Sequence, residues 1–118
     1  MSASVVWFEV TGQDAAALKG FYGGMFGWSM SFDNPQRYAQ LPKEEGAIGG
    51  GVGLRDGAGW STFYVAVPDI EAQVAQAQAL GGQVLDPIRP MPGGSFIAVV
   101  ADPDGNAVGL YQGAPASA

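Results

Sequence analysis

Hydrophobic and polar positions first alternate at residues 5–10, with Val5, Trp7 and Glu9 on one face of a strand and Val6, Phe8 and Val10 on the other. Asp14 stands where a helix N-cap is wanted, its carboxylate able to accept from the first free amides. Leu18, Phe21, Tyr22 and Met25 then recur at helical spacing as an apolar stripe, and Gly23, Gly24 and Gly27 weaken and end the helix. The turn clusters DNP (33–35), KEEG (43–46) and DGAG (56–59) cut the next stretch into three short strands. Residues 61–67 read as the clearest strand, followed by Asp69 as the cap of a second helix. Ile70, Val74, Ala77 and Leu80 should face inward along that helix, which ends at Gly81 and Gly82. The segment PIRPMPGG (87–94) is too rich in proline and glycine for a central strand and predicts a loop or lid. Residues 95–101 predict a buried strand, 102–105 a turn and 106–112 a last strand, with a disordered tail from 113.

The two halves repeat one another. A shift of fifty-five positions lays Val10 on Val65, Asp14 on Asp69 and Gly27 on Gly82, and GGGVGL (49–54) echoes GNAVGL (105–110) with a one-residue slip. Each half reads as strand, turn acid, helix, glycine and further short strands, so the pattern predicts two copies of a βαβββ unit. No low-complexity linker parts them. The expected organisation is a single domain over residues 1–118, with module one at about 4–56 and module two at about 60–113.

The composition excludes more than it selects. With no His and no Cys, the chain lacks imidazole bases, thiolate nucleophiles, disulfides and Cys/His zinc sites. Hydrophobic residues at 47% fit a packed globule. A net charge of −6 leaves no basic patch for nucleic acid or an anionic membrane, and no apolar run is long enough to span a bilayer. A cytoplasmic location is expected. GGGVGL lacks the lysine and following helix of a phosphate loop, so its glycines are expected to permit close backbone approach in a curled sheet.

The series WFEV…D…FY…FGW, FYVAV.D…LGG and DP.GN.VGL resembles the vicinal oxygen chelate superfamily, which includes glyoxalase I, extradiol dioxygenases and bleomycin-resistance proteins. The resemblance implies an α+β fold of two βαβββ modules forming a cupped mixed sheet with helices outside, commonly in homodimers. It also implies a divalent metal held in the cup of catalytic members by His, Glu or Gln on the first and last strands. Carried over position by position, those ligands fall on Trp7, Gly53, Thr62 and Gly109. None is a usual ligand, so no metal and no other cofactor is expected.

Strand phase turns Trp7, Glu9, Thr62, Tyr64, Gly109 and Tyr111 toward the cup, an aromatic lining with one carboxylate. Glu9 is the one acid that the pattern puts inside a strand; the rest fall at caps, in a first helical turn or in turns. It reads either as the ligand's principal polar contact or as a carboxylate that is partly exposed or bonded to a nearby hydroxyl. Trp28, Trp60, Tyr22 and Tyr38 divide between stacking on a planar ligand and ordinary core or interface roles. Arg89 reads first as a solvated loop cation and second as an anchor for an anion.

Three functions follow from these readings. The first is metal-independent binding of a small organic molecule by a homodimer. The second is a lyase- or dioxygenase-type enzyme with an atypical carboxylate-based site. The third is an accessory module with a vestigial cup.

Overall fold

A computed structural model describes residues 2–115. Its elements in chain order are β1 (Val5–Gly12), α1 (Ala15–Phe26), β2 (Tyr38–Leu41), β3 (Gly49–Leu54), β4 (Ser61–Ala66), α2 (Ile70–Ala79), β5 (Gln83–Met91), β6 (Ser95–Ala101) and β7 (Ala107–Gln112). They fall into two compact units, one of Trp7–Ser61 and one of Met1–Val6 with Thr62–Ala118. The fold is α+β, and in each unit parallel and antiparallel strand pairs lie under one helix.

In the first unit the strand order is β2-β3-β1. Strand β3 runs parallel to β1, from Trp7 opposite Gly49 to Gly12 opposite Leu54. It runs antiparallel to β2, from Tyr38 opposite Gly53 to Leu41 opposite Gly50. Helix α1 starts where Asp14 accepts from the Ala17 amide at 3.0 Å, satisfying one orphan donor of the first turn. It ends at Gly27, whose φ of 70° is open to a residue without Cβ. Met30, Ala39, Leu41 and Val52 form the core, with Phe8, Val10, Leu18, Tyr22, Trp28 and Phe32 packed against it. Val52 is fully buried, which contributes about 1.5–3 kcal/mol of transfer free energy.

The second unit has the order β4-β7-β6-β5. Strand β4 is parallel to β7, and β6 is antiparallel to both β7 and β5. Asp69 caps α2 by accepting from Ala72 at 3.2 Å, and the Ile70 amide donates to the Gln112 side chain at 2.8 Å, tying the helix start to β7. Val67, Ile70, Ala98, Val100 and Leu110 make the core, lined by Val65, Val74 and Ala77. The turn before β7 is closed by Asp102, which accepts from the Asn106 side chain and backbone; those bonds hold its carboxyl below the ordinary value.

Four details depart from the pattern reading. Residues 87–91 are strand, not lid, because β5 is the edge of its sheet. An edge strand has one side free of ladder bonds, so Pro87 and Pro90 are tolerated, and register shifts at Asp86 absorb the misfit. Leu80 is 70% exposed because α2 ends at Ala79 and Leu80 is already the cap. On α1 only Leu18 and Tyr22 reach the core, while Phe21 and Met25 are exposed. Residues 28–32 pack Trp28, Met30 and Phe32 inward without joining a ladder, so module one shows the strands β1, β2 and β3 among the described residues. Residues 113–115 have no regular structure, and the rest of the expected tail lies outside the described residues.

Two glycines should respond oppositely to a methyl group. In α1 nothing lies within 4 Å of a Cβ added at Gly20, so Gly20→Ala should stabilise by about 0.5–1 kcal/mol through helix propensity. A Cβ at Gly50 would sit 2.0 Å from Phe8 Cε1, so Gly50→Ala should destabilise by about 1–3 kcal/mol. Urea unfolding of both variants reads the signs.

Candidate functional site

Alternation along β1 puts Phe8 and Val10 into the core under α1 and leaves Trp7, Glu9 and Thr11 on the opposite face. Register sets these three against Gly49, Gly51 and Gly53 of β3. That face of β3 has no side chains, and aromatic rings take the space. A Cβ at Gly49 would meet the Trp7 ring at 2.7 Å, and one at Gly51 would meet the Tyr38 ring at 2.1 Å. Glycine here is required by close approach of a ring, not of a second backbone as the sequence pattern suggests.

Polar groups on this face form a chain. The Trp7 indole N–H donates to the Tyr38 hydroxyl at 2.9 Å, and the Tyr38 hydroxyl donates in turn to the Glu9 carboxylate. From the other side the Trp60 indole N–H donates to Glu9 Oε2 at 3.0 Å. Trp60 is pinned to the end of β1. Its amide donates to Thr11 Oγ1 at 3.0 Å, and its carbonyl accepts from the Thr11 amide at 2.8 Å. Gly59 makes this possible, since a Cβ there would meet the Thr11 carbonyl oxygen at 2.0 Å. The Arg55 guanidinium lies over the Trp60 ring at 3.8 Å.

Glu9 is 8% exposed and is the one buried acid among the described residues. A buried carboxylate is costly unless hydrogen bonds replace its water, and those from Trp60 and Tyr38 help to do so here. Burial above all, and next the Glu9 charge, hold the Tyr38 phenol well above its ordinary value of 10.0; the bond from Trp7 acts in the opposite sense.

The second unit carries the other four expected residues. Thr62 and Tyr64 are buried on the face of β4 away from α2, while Val65 turns to the core. Phe63, which alternation turns to the same side of β4 as Val65, is nevertheless 41% exposed. Tyr64 stands opposite Gly109 on β7, and its ring fills the place of a side chain there: a Cβ at Gly109 would be 2.5 Å from Tyr64 Cγ. Tyr111, opposite Ala66, is at the margin of exposure. The Thr62 hydroxyl donates to the Ala107 carbonyl.

A divalent metal does not fit the residues at the positions the family uses. Trp7 offers only an N–H, already donated to Tyr38, and the Thr62 hydroxyl is donated to Ala107. At Gly53 and Gly109 the Tyr38 and Tyr64 rings fill the space that a ligating side chain would need. Tight zinc or nickel sites need imidazole, thiolate or clustered carboxylates. No group of three or more His, Cys, Asp or Glu comes together among the described residues.

Sequence reasoning brought Trp7 and Glu9 together correctly on β1. It left Tyr38 and Trp60 among undecided aromatics and did not single out Arg55. A signal for Tyr38 was present: an aromatic residue opening a short strand, followed by a strand of alternate glycines that can receive its ring. For Trp60 and Arg55 no local signal exists, since both reach Glu9 or its partner through the turn at 56–59. Asp86 also proves to be strand-borne, in β5, so Glu9 is distinguished by burial and not by strand placement. Arg89, exposed on β5 opposite Ile97, lies in the other unit from Glu9.

A profile of the Glyoxalase/Bleomycin resistance protein/Dioxygenase superfamily matches residues 4–110. Proteins of Mycobacterium tuberculosis and Mycobacterium bovis, both provisionally named glyoxylase CFP32, are 32% identical over 117 residues, covering 90% of this chain. The chain spans 44% of the length of those relatives. Among solved structures, methylmalonyl-CoA epimerase from Mycobacterium tuberculosis is similar with a TM-score of 0.62 at 15% identity, covering 94% of this chain and 88% of its own. A superfamily member from Vibrio splendidus also has a TM-score of 0.62, at 18% identity, with 94% and 99% covered. Methylmalonyl-CoA epimerase from Streptomyces coelicolor, in complex with 2-nitronate-propionyl-CoA, gives 0.59 at 20% identity, with 97% and 100% covered. At these identities the structural likeness shows the fold alone.

The Tyr38 phenol supplies a pH signature. The unfolded chain releases this proton near pH 10.0, whereas the folded chain still holds it. The associated stability is therefore complete below pH 10.0 and declines as the pH rises above it. Tyr38→Phe should flatten that part of the stability–pH profile, measured by urea unfolding between neutral and strongly alkaline pH. An unchanged slope would show that the phenol ionises freely in the folded state.

Proposed function

The chain belongs to the Glyoxalase/Bleomycin resistance protein/Dioxygenase superfamily, and on that premise we propose that it binds a small organic molecule without a resident divalent metal. The observation that carries this reading is Glu9, a buried carboxylate held by Trp60 and Tyr38 on a face of half-buried aromatic rings. Neutral donors, Trp60 and Tyr38 among them, keep the charge in place, where it would face a cationic or hydrogen-bonding ligand group. Rings on either side give a planar molecule apolar contact. The same reading makes the protein a cytoplasmic homodimer. Support for association comes from α1, where Phe21, Met25 and Phe26 are 58%, 62% and 56% exposed, more apolar surface than one helix usually leaves to water. No helix among the described residues is long and apolar enough to cross a membrane.

An enzyme is the second reading, favoured by the glyoxylase name of the mycobacterial relatives and by the epimerases among the structural neighbours. Lyase and dioxygenase chemistry in the superfamily leans on a Lewis acid, for which the residues here are unsuited. Turnover of a 2-oxoaldehyde–thiol adduct or an acyl-CoA ester by the purified protein would favour this reading over simple binding.

Native mass spectrometry tests assembly and metal together. The expected species is a dimer free of zinc and nickel; a monomer at micromolar concentration, or about one metal per chain surviving chelator, overturns the corresponding part.

Glu9→Gln keeps the shape and removes the charge. Once a thermal-shift screen supplies a ligand, calorimetry on this variant should show affinity reduced by roughly 1.5–3 kcal/mol with the fold intact. Undiminished binding would make Glu9 a purely structural group.

A further inference from the structure

We propose that Arg55 is an oxyanion anchor, and that the ligand of this face therefore carries a carboxylate or phosphoryl group. The inference rests on the binding reading above and adds the ligand's charged class to it. Three observations converge on Arg55. Its guanidinium carbon lies over the Trp60 ring, 3.8 Å from the centroid. Its Nε is buried and finds no acceptor among the described residues. Its backbone amide donates to the Gly12 carbonyl at 2.9 Å, so the residue is held at the end of β1 where Trp60 is also pinned.

A guanidinium does not become neutral at ordinary pH, so the buried Nε–H cannot escape its lost hydration by releasing a proton. A buried donor on a charged group calls for an acceptor, and the most effective one for a planar fork is an oxyanion. The Nε–H and one terminal N–H of an arginine point in parallel, matching two oxygens of a carboxylate or phosphate.

Trp60 joins this fork to Glu9. The edge of the indole donates to the carboxylate at 3.0 Å, while its face carries the guanidinium. Opposite charges are thus set on different sides of one rigid ring and do not cancel by direct contact. A ligand whose oxyanion meets Arg55 lies against the indole and reaches Glu9 with a hydrogen-bond donor. In a chain of net charge −6 such a cation is also what offsets the general repulsion of an anionic ligand.

The test follows the Arg55 Nε–H and Trp60 indole N–H signals of ¹⁵N-labelled protein by NMR at low salt. Benzoate, inorganic phosphate, benzamide and benzylammonium serve as probes. Benzoate or phosphate should move both signals saturably, and neutral benzamide should bind at least about tenfold more weakly than benzoate. The stronger of the two anions tells a carboxylate from a phosphoryl ligand. Arg55→Gln should abolish the anion response, and Arg55→Lys, which keeps the charge without the fork, should weaken it. Unfolding midpoints and the Trp60–Glu9 indole signal verify that both variants are folded. Absence of a saturable anion response in the parent protein, or anion binding undiminished in a folded Arg55→Gln, overturns the inference. If benzamide or benzylammonium then shifts Trp60 in a manner lost in Glu9→Gln, the binding reading stands while the anchor falls.

Discussion

Aromatic rings lying directly on a strand without side chains are the constraint on which the first unit depends. Gly49 receives Trp7, Gly50 receives Phe8, and Gly51 and Gly53 receive Tyr38. The contacts divide by strand phase: Phe8 on Gly50 belongs to the core under α1, whereas Trp7 and Tyr38 lie on the other face. A Cβ on any of these glycines would occupy the same space as a ring, at separations no packed interior tolerates. Strand β3 consequently contributes backbone and room, and the functional groups come from β1, from β2 and from the segment 55–60. The second unit repeats the device once, with Tyr64 on Gly109.

That packing explains why a buried acid survives on β1. With Tyr38 pressed onto Gly51 and Gly53, its hydroxyl is held between the Trp7 indole and the Glu9 carboxylate and serves as acceptor and donor at once. Trp60 closes the other side. The rings at Gly53 and Gly109 fill the volume that two ligating side chains would need. A carboxylate at either glycine would therefore require moving a tyrosine.

Local order was legible in the chain wherever it depended on neighbours in sequence. Asp14 and Asp69 cap their helices as their positions imply, because a cap bond spans only three residues. The phase of β1 and β4 followed from alternation, since side-chain direction has a period of two. The duplicated motif led to the α+β fold. What misled were cases in which strand position outweighs composition. Pro87 and Pro90 sit in a strand because it is an edge, and Leu80 is exposed because its helix stops one residue earlier.

By itself, then, the sequence determined the two helices and most strands, the inner and outer faces of β1 and β4, the absence of imidazole and thiolate chemistry, and the family. Each depends on residue identity or on short-range periodicity. Only the tertiary structure decided which aromatic rings surround Glu9, that Tyr38 and Trp60 donate to it, and that Arg55 stacks on Trp60 with one buried donor left over. Tyr38 is 29 residues from Glu9 and Trp60 is 51, and they meet because β3 pairs with both β1 and β2 and because Gly59 lets the chain close on Thr11. Register between strands and contact at a turn are set by the packing of the whole unit, which no short window of sequence encodes.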